Sequence, residues 1–172
     1  MSFEVINSPL FATIQDRGRF SYTAIGVTNS GVMDEYSYLL ANKMLENEKN
    51  SNIIEISFSN VILKSHVNTT IAITGAKCEF FINDISKNRW QTHQVNAGDI
   101  IKVGKILEGS RVYLGVKDGF NIKKEFGSNA TTIKEKLGGI SGEKLKKGDI
   151  LPCKNSNHKY KMRLKDEYIP DY

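Results

Sequence analysis

The chain has 172 residues, 40% of them hydrophobic and 25% charged, which suits one domain of ordinary size and a normal globular balance. No run approaches the roughly 18 consecutive apolar residues of a membrane span, and Met1-Ser2-Phe3-Glu4-Val5 lacks the basic and apolar segments of a signal peptide, so a cytoplasmic protein without a membrane partner is expected. Residues 1–120 carry 12 Lys/Arg against 12 Asp/Glu and residues 121–172 carry 12 against 7; the whole excess of +5 therefore sits at a polar end, as a solvated surface does and a nucleic-acid site with interleaved aromatic residues does not.

In chain order, the first elements are two short strands, Phe3 to Ile6 and Phe11 to Ile14, rich in β-branched and aromatic residues. From Asp34 onward Tyr36, Leu40, Ala41 and Met44 recur at helical spacing, which predicts one main helix over about 34–46 with Asp34 as its N-cap. Such a helix could plug an open end of a barrel. Ile53 to Ser57 and Val61 to Leu63, separated at Ser59-Asn60, read as a hairpin. Ile71 to Thr74 ends at Gly75, and Cys78 to Ile82 meets the turn pair Asn83-Asp84. Thr92 to Val95, Ile100 to Val103, Arg111 to Val116 and Ile150-Leu151 complete a set of short, evenly spaced strands, as in a barrel or sandwich. A short second helix is expected at Ile133 to Leu137, with Thr132 and Glu135 at capping-box spacing and Gly138-Gly139 as its stop. The stretch from 154 to 172 is polar and reads as a linker.

Two clusters carry the most unusual chemistry. In Thr13-Ile14-Gln15-Asp16-Arg17-Gly18-Arg19 an amide, a carboxylate and two guanidinium groups surround a glycine at a strand end. Arg17 or Arg19 suits a carboxylate or phosphate through paired hydrogen bonds, while Asp16 suits a base or an arginine-orienting group. The plainer reading is a surface turn held by an Asp–Arg pair. In Asn29-Ser30-Gly31-Val32-Met33-Asp34 a helix start offers free N–H groups to an anion, and simple capping by Asp34 is the plainer reading. Asn42 and Glu55 are polar groups among apolar neighbours. Cys78 and Cys153 lie too far apart in sequence for a metal-binding pair, and His66, His93 and His158 have no ligand spacing, so no metal is expected. Neither a phosphate-binding P-loop nor a Gly-x-Ser-x-Gly elbow is present.

Thr13-x-Gln15-Asp16-x-Gly18-Arg19, Tyr22, Gly26, Ser30-Gly31-x-Met33-Asp34, Ala41-Asn42, Asn47 and Glu55 together resemble the opening signature of a biotin-dependent carboxyltransferase-like family, the one that holds the C subunit of 5-oxoprolinase and the second subunit of allophanate hydrolase. Gly75-Ala76, Gly98-Asp99, Arg111-x-Tyr113-Leu114, Gly127-Ser128, Thr131, Gly138-Gly139 and Gly148-Asp149-x-Leu151 follow in the same order. Departures fall at turns: Ser59-Asn60 and Asp118-Gly119 replace glycine pairs, Glu143 replaces an arginine, and Ser21-Tyr22 replaces Gly-Tyr.

The resemblance implies a mainly β, cyclophilin-like barrel over 1–153, with 154–172 leading to a second barrel of similar size. It implies one component of an ATP-dependent enzyme that opens the lactam of 5-oxoproline to glutamate, working with the A and B subunits of the same enzyme. ATP would bind at the level of that complex. The alternatives are a biotin-dependent carboxyltransferase acting on urea-like amides, or a non-catalytic regulator that binds a kinase inhibitor resembling the B subunit. Gln15, Asp16, Arg19 and Asp34 would form the catalytic set, and Arg17, Ser30, Asn42 and Glu55 would bind substrate.

Overall fold

The computed structural model describes residues 1–8, 11–58, 60–156 and 161–172. Ser59 of the expected hairpin turn and His158 lie outside the described residues. Among the described residues nine strands form one sheet: β1 (Ser2–Asn7), β2 (Phe11–Gln15), β3 (Ile53–Ser57), β4 (Val61–Ser65), β5 (Thr69–Ile82), β6 (Ile85–Ser86), β7 (Gln91–Val95), β8 (Ile100–Val116) and β9 (Ile150–Pro152). The order is β2-β3-β8-β4-β1-β9, with β5 on β8 and with β6 and β7 on β5. The architecture is thus mainly β, a sheet curled into a half-barrel with one α-helix, α1 (Glu35–Met44).

Three expectations about the strands are corrected. β3 and β4 do not form a hairpin with one another. Both pair with β8, β4 along Ile100–Val103 and β3 along Arg111–Leu114. The two expected strands 100–103 and 111–116 are one 17-residue strand, long enough to seat both partners on one edge. Likewise Gly75 does not end a strand. β5 runs on to Ile82, and the register against β8 shifts between Gly75 and Lys77, so the glycine marks a bulge inside a continuous ribbon.

Strand alternation separates two apolar layers. Ile54, Ile56, Ile71, Ile73, Val112 and Leu114 enter the main core with Phe3, Leu63, Phe80 and Val103. Ile53 and Tyr113 point the other way and meet Tyr38 and Ala41 of α1, and Ala72 meets Met44 and Leu45. The helix therefore covers the outer face of the β5–β8 ribbon instead of plugging a barrel end. Its first turn is capped as expected, Asp34 Oδ1 accepting from Ser37 N at 3.0 Å. The second helix is corrected to a single 3-10 turn, Ile133–Glu135, with no side-chain cap. Thr132 and Glu135 have other partners: the Thr132 hydroxyl accepts from Arg19, and the Glu135 carboxylate accepts from Thr28. None of the described helices is long and apolar enough to cross a membrane.

Of the stretch expected to be a polar linker, residues 161–172 are bonded to the fold. Met162 O accepts from Thr92 N at 2.8 Å, Leu164 N donates to Trp90 O at 2.9 Å, and Tyr168 O accepts from the Tyr36 hydroxyl at 2.7 Å.

The loop from 118 to 131 is pinned to β3 by Asn52, whose amide donates to Phe120 O and Asn129 Oδ1 and accepts from Phe120 N. Asn52→Ala leaves these buried groups without partners, at about 1–3 kcal/mol for each one that water cannot reach. With one of the three groups left dry the melting temperature is expected to fall by roughly 2–12 °C, at about 2–4 °C per kcal/mol for a chain of this size, as calorimetry would show.

Candidate functional site

The two clusters singled out in the sequence lie side by side. Arg19 N donates to Asn29 O at 2.8 Å, and Val32 N donates to Asp16 O at 3.0 Å. The approach is backbone to backbone because Gly18 and Gly31 have no side chains: a Cβ on Gly18 would stand 2.5 Å from Ser30 O, and one on Gly31 would stand 2.7 Å from Arg17 O.

Asp16, fully buried, knits a third segment to the pair. Its Oδ1 accepts from Gly18 N at 2.8 Å and Ser128 Oγ at 2.6 Å, and its Oδ2 accepts from Asn129 N at 2.7 Å. The Arg19 guanidinium, 1% exposed, donates to Thr132 Oγ1, Ala130 O and, weakly, Glu125 O. Asp16 and Arg19 therefore grip the 125–132 loop separately, Asp16 through its turn at 128–129 and Arg19 through the residues on either side.

The exposed cation of the motif is Arg17. It pairs with Glu35 at 2.8 Å, and both side chains are about half exposed. It borders a cavity of 430 Å³ whose walls are Phe20, Tyr22 and Phe126, with Asn50 on the rim. Tyr22 and Phe126 meet edge to face at 5.1 Å between ring centres. Arg17 also borders a second hollow along α1, which Asn42 lines. Asn42 itself bonds to Ser51 O and Asn47 at the foot of the helix, so it stands apart from the other polar residues of the two clusters.

Gln15 and Ser30 converge on one carbonyl. Gln15 Nε2 donates to Thr131 O at 3.2 Å and Ser30 Oγ donates to it at 2.9 Å. Gln15 Oε1, on a side chain 6% exposed, has no hydrogen-bond partner among the described residues. Glu55 serves the helix start: its Oε2 accepts from Met33 N at 2.8 Å and from the Tyr113 hydroxyl at 2.9 Å. That hydroxyl in turn accepts from Asp34 N at 2.8 Å, and burial followed by the Glu55 charge pushes its pKa far above the ordinary phenol range. Asp34 Oδ2 accepts from the Tyr172 hydroxyl at 3.0 Å, and burial raises that phenol to about 12. The sequence motifs alone leave Ser128, Thr131, Thr132, Tyr113 and Tyr172 out of the site. Three of these, Ser128, Thr131 and Tyr113, stand among the family matches, which is the available signal.

Burial, the largest cause for each, raises both free thiols, Cys78 and Cys153, to about 11. Neither offers a thiolate near neutral pH. Among the described residues no group of three His, Cys, Asp or Glu could hold a metal ion.

Gly18→Ala is expected to lower the melting temperature by at least about 4 °C, since the left-handed backbone alone costs roughly 1–2 kcal/mol and the clash with Ser30 O adds to it. Thermal unfolding of the variant beside the unchanged protein checks this.

Comparison with known proteins gives these loops a family. The carboxyltransferase domain, subdomain A and B, matches residues 25–172. Urea amidolyase of Lachancea kluyveri is 36% identical over 87% of this chain, which covers 8% of that protein. The C subunit of 5-oxoprolinase from Haemophilus influenzae is 32% identical over 85% of the chain, which spans 47% of that protein. The crystal structure of K. lactis urea amidolyase superimposes with a TM-score of 0.85 at 36% identity, over 88% of this chain and 9% of that one. These relatives are enzymes or enzyme subunits. With the match to the family running through all but the first 24 residues, the chain belongs to the family of the carboxyltransferase domain, subdomain A and B.

Proposed function

We propose that this chain is part of the C subunit of an ATP-dependent 5-oxoprolinase, which opens the lactam of 5-oxoproline to glutamate together with its A and B subunits. The observation that carries this reading is Gln15 Oε1, buried beside Thr13 and Thr131 with no donor to bond among the described residues. An unpaired buried carbonyl oxygen costs about 1–3 kcal/mol, and a lactam N–H is the kind of donor that relieves it. The Gln15 amide nitrogen is already engaged with Thr13 and Thr131, so the oxygen is the group left to read a ligand.

The other half of the substrate is a carboxylate, and Arg17 is suited to it. Its bond to Glu35 is an exposed ion pair, worth about 0–1 kcal/mol, so an incoming carboxylate can replace it. The aromatic side chains of the adjoining open cavity would pack against a small ring. Asp16 and Arg19 act as positioning residues through the 125–132 loop. Asp34, Ser30 and Glu55 fix the helix start beside them, with Glu55 acting through Met33 N and the Tyr113 hydroxyl. ATP enters at the level of the assembled enzyme. In this chain the first turn of α1 is closed by Asp34 and Tyr172, and Arg19 is held by carbonyls, which leaves no ready phosphate cradle at the joined loops.

A second reading, carboxyl transfer to a urea-like amide from carboxybiotin, is favoured by the 36% identity to urea amidolyase. Urea also brings N–H donors to Gln15, but it has no carboxylate for Arg17. The complete three-subunit enzyme is the material for the test. Gln15→Met is expected to lower kcat/KM for 5-oxoproline by about 10- to 100-fold. It removes an unsatisfied buried acceptor but also the donor bonds to Thr13 Oγ1 and Thr131 O, of which Thr131 O keeps Ser30 Oγ, so thermal unfolding is followed beside the kinetics. Arg17→Ala is expected to raise KM for 5-oxoproline by about 10- to 100-fold, the size of one charge-assisted contact. Wild-type kinetics in Gln15→Met would remove the basis of the proposal. Turnover of urea in place of lactam, indifferent to Arg17→Ala, favours the second reading. Binding to the B subunit with neither turnover favours a regulator.

A further inference from the structure

A polar hollow of about 530 Å³ opens elsewhere on the fold and shares no lining residue with the cavity beside Arg17. Segments distant in sequence build it: β5, the β5–β6 turn, β6, β7, the β7–β8 turn and the C-terminal stretch. Two ammonium groups face it, Lys87 from beyond β6 and Lys161 from the C-terminal stretch. Because they come from well-separated parts of the sequence, they are not a run of charge on one exposed strand.

The carboxylate in the lining, Asp99, is turned into its own loop. Its Oδ1 accepts from Asn83 Nδ2 and its Oδ2 from Asn96 N, each at 2.8 Å. His93 closes the floor, 9% exposed, with its ring edge against Phe80 at 5.3 Å between ring centres. Its Nε2 stands 2.8 Å from Asn88 O, a carbonyl that can only accept, so that nitrogen carries the proton. Burial, reinforced by Lys161 and Lys87, holds the ring below the usual histidine pKa, so it is neutral at pH 7. The lining thus presents two lysines, one carboxylate already engaged and a neutral histidine. Ile82 and Ile85 supply an apolar side to the same space.

We propose that this hollow is a binding site for the oxyanion group, phosphate or carboxylate, of a small organic ligand, held by Lys87 and Lys161 while Ile82 and Ile85 pack against its organic part. The site is independent of the joined loops and of the reaction proposed for them.

The test is a calorimetric titration of the full-length protein with inorganic pyrophosphate and, separately, with succinate. His93 is followed by NMR in the same samples. Saturable binding of pyrophosphate assigns a phosphate ligand, and saturable binding of succinate a carboxylate. Lys87→Ala and Lys161→Ala are each expected to weaken binding by roughly tenfold, as loss of one charge-assisted contact does, and the double variant to abolish it. The midpoint of the His93 titration is expected to move to higher pH in the saturated protein. Circular dichroism of the variants, whose changes are at the surface, shows whether the fold is intact. The proposal is overturned if neither anion saturates at tens of millimolar, or if binding survives in the folded double variant.

Discussion

The carboxylate of Asp16 is the point on which the loops depend. Three donors reach it from two places far apart in sequence, Gly18 beside it and Ser128 with Asn129 more than a hundred residues later. A buried carboxylate is stable only when its oxygens are met by donors, so the turn after β2 and the 128–129 turn are each the condition for the other. Arg19 repeats the arrangement with opposite chemistry, a cation answered by a hydroxyl and carbonyls of the same 125–132 loop. A segment with hardly any regular structure of its own is thereby held against the sheet. Thr131 N and Leu145 N donate to Ile14 O and Ala12 O, and Gly148 N donates to Val5 O, so the stretch passes from one side of the curled sheet to the other.

This arrangement separates residues whose hydrogen bonds are met from residues whose chemistry is unanswered or exchangeable. Asp16, Arg19 and Glu55 look like catalytic groups by type, yet each is buried and bonded to the protein. The groups with unanswered or exchangeable chemistry are their neighbours: Gln15 Oε1, which has no donor among the described residues, and Arg17, which has only an exposed partner.

Local signals in the sequence are legible where the physics is local. Asp34 caps α1, because capping acts within one turn; of the expected apolar stripe only Ala41 and Met44 are buried, and Tyr38 takes the place in the core that the spacing assigned to Tyr36, which is exposed. The Asn83-Asp84 turn has both residues at positive φ, as a tight hairpin needs. What the sequence hides is pairing at a distance. Nothing near Ile53–Leu63 announces that β3 and β4 both dock on β8, because the partner strand begins some forty residues later. Thr132 and Glu135 have the spacing of a capping box, but the buried Arg19 and Thr28 bind them, and a tertiary hydrogen bond outweighs a weak local one. The Gln15–Arg19 and Asn29–Asp34 segments stand out by composition and do meet. The third strand of that knot, 125–132, does not stand out, since hydroxyl and amide residues in a loop carry no periodic mark.

The shared use of β8 bears on how the polypeptide is made. β3 and β4 leave the ribosome well ahead of the strand that joins them. At roughly 5–20 residues per second, about 3–12 s separate synthesis of the end of β3 from that of the end of β8. Through that interval two β-branched, apolar strands carry open backbone edges, the condition in which nascent chains recruit holding chaperones or pair with one another. Slower synthesis across residues 58–116 therefore lengthens the time for which those edges stay open.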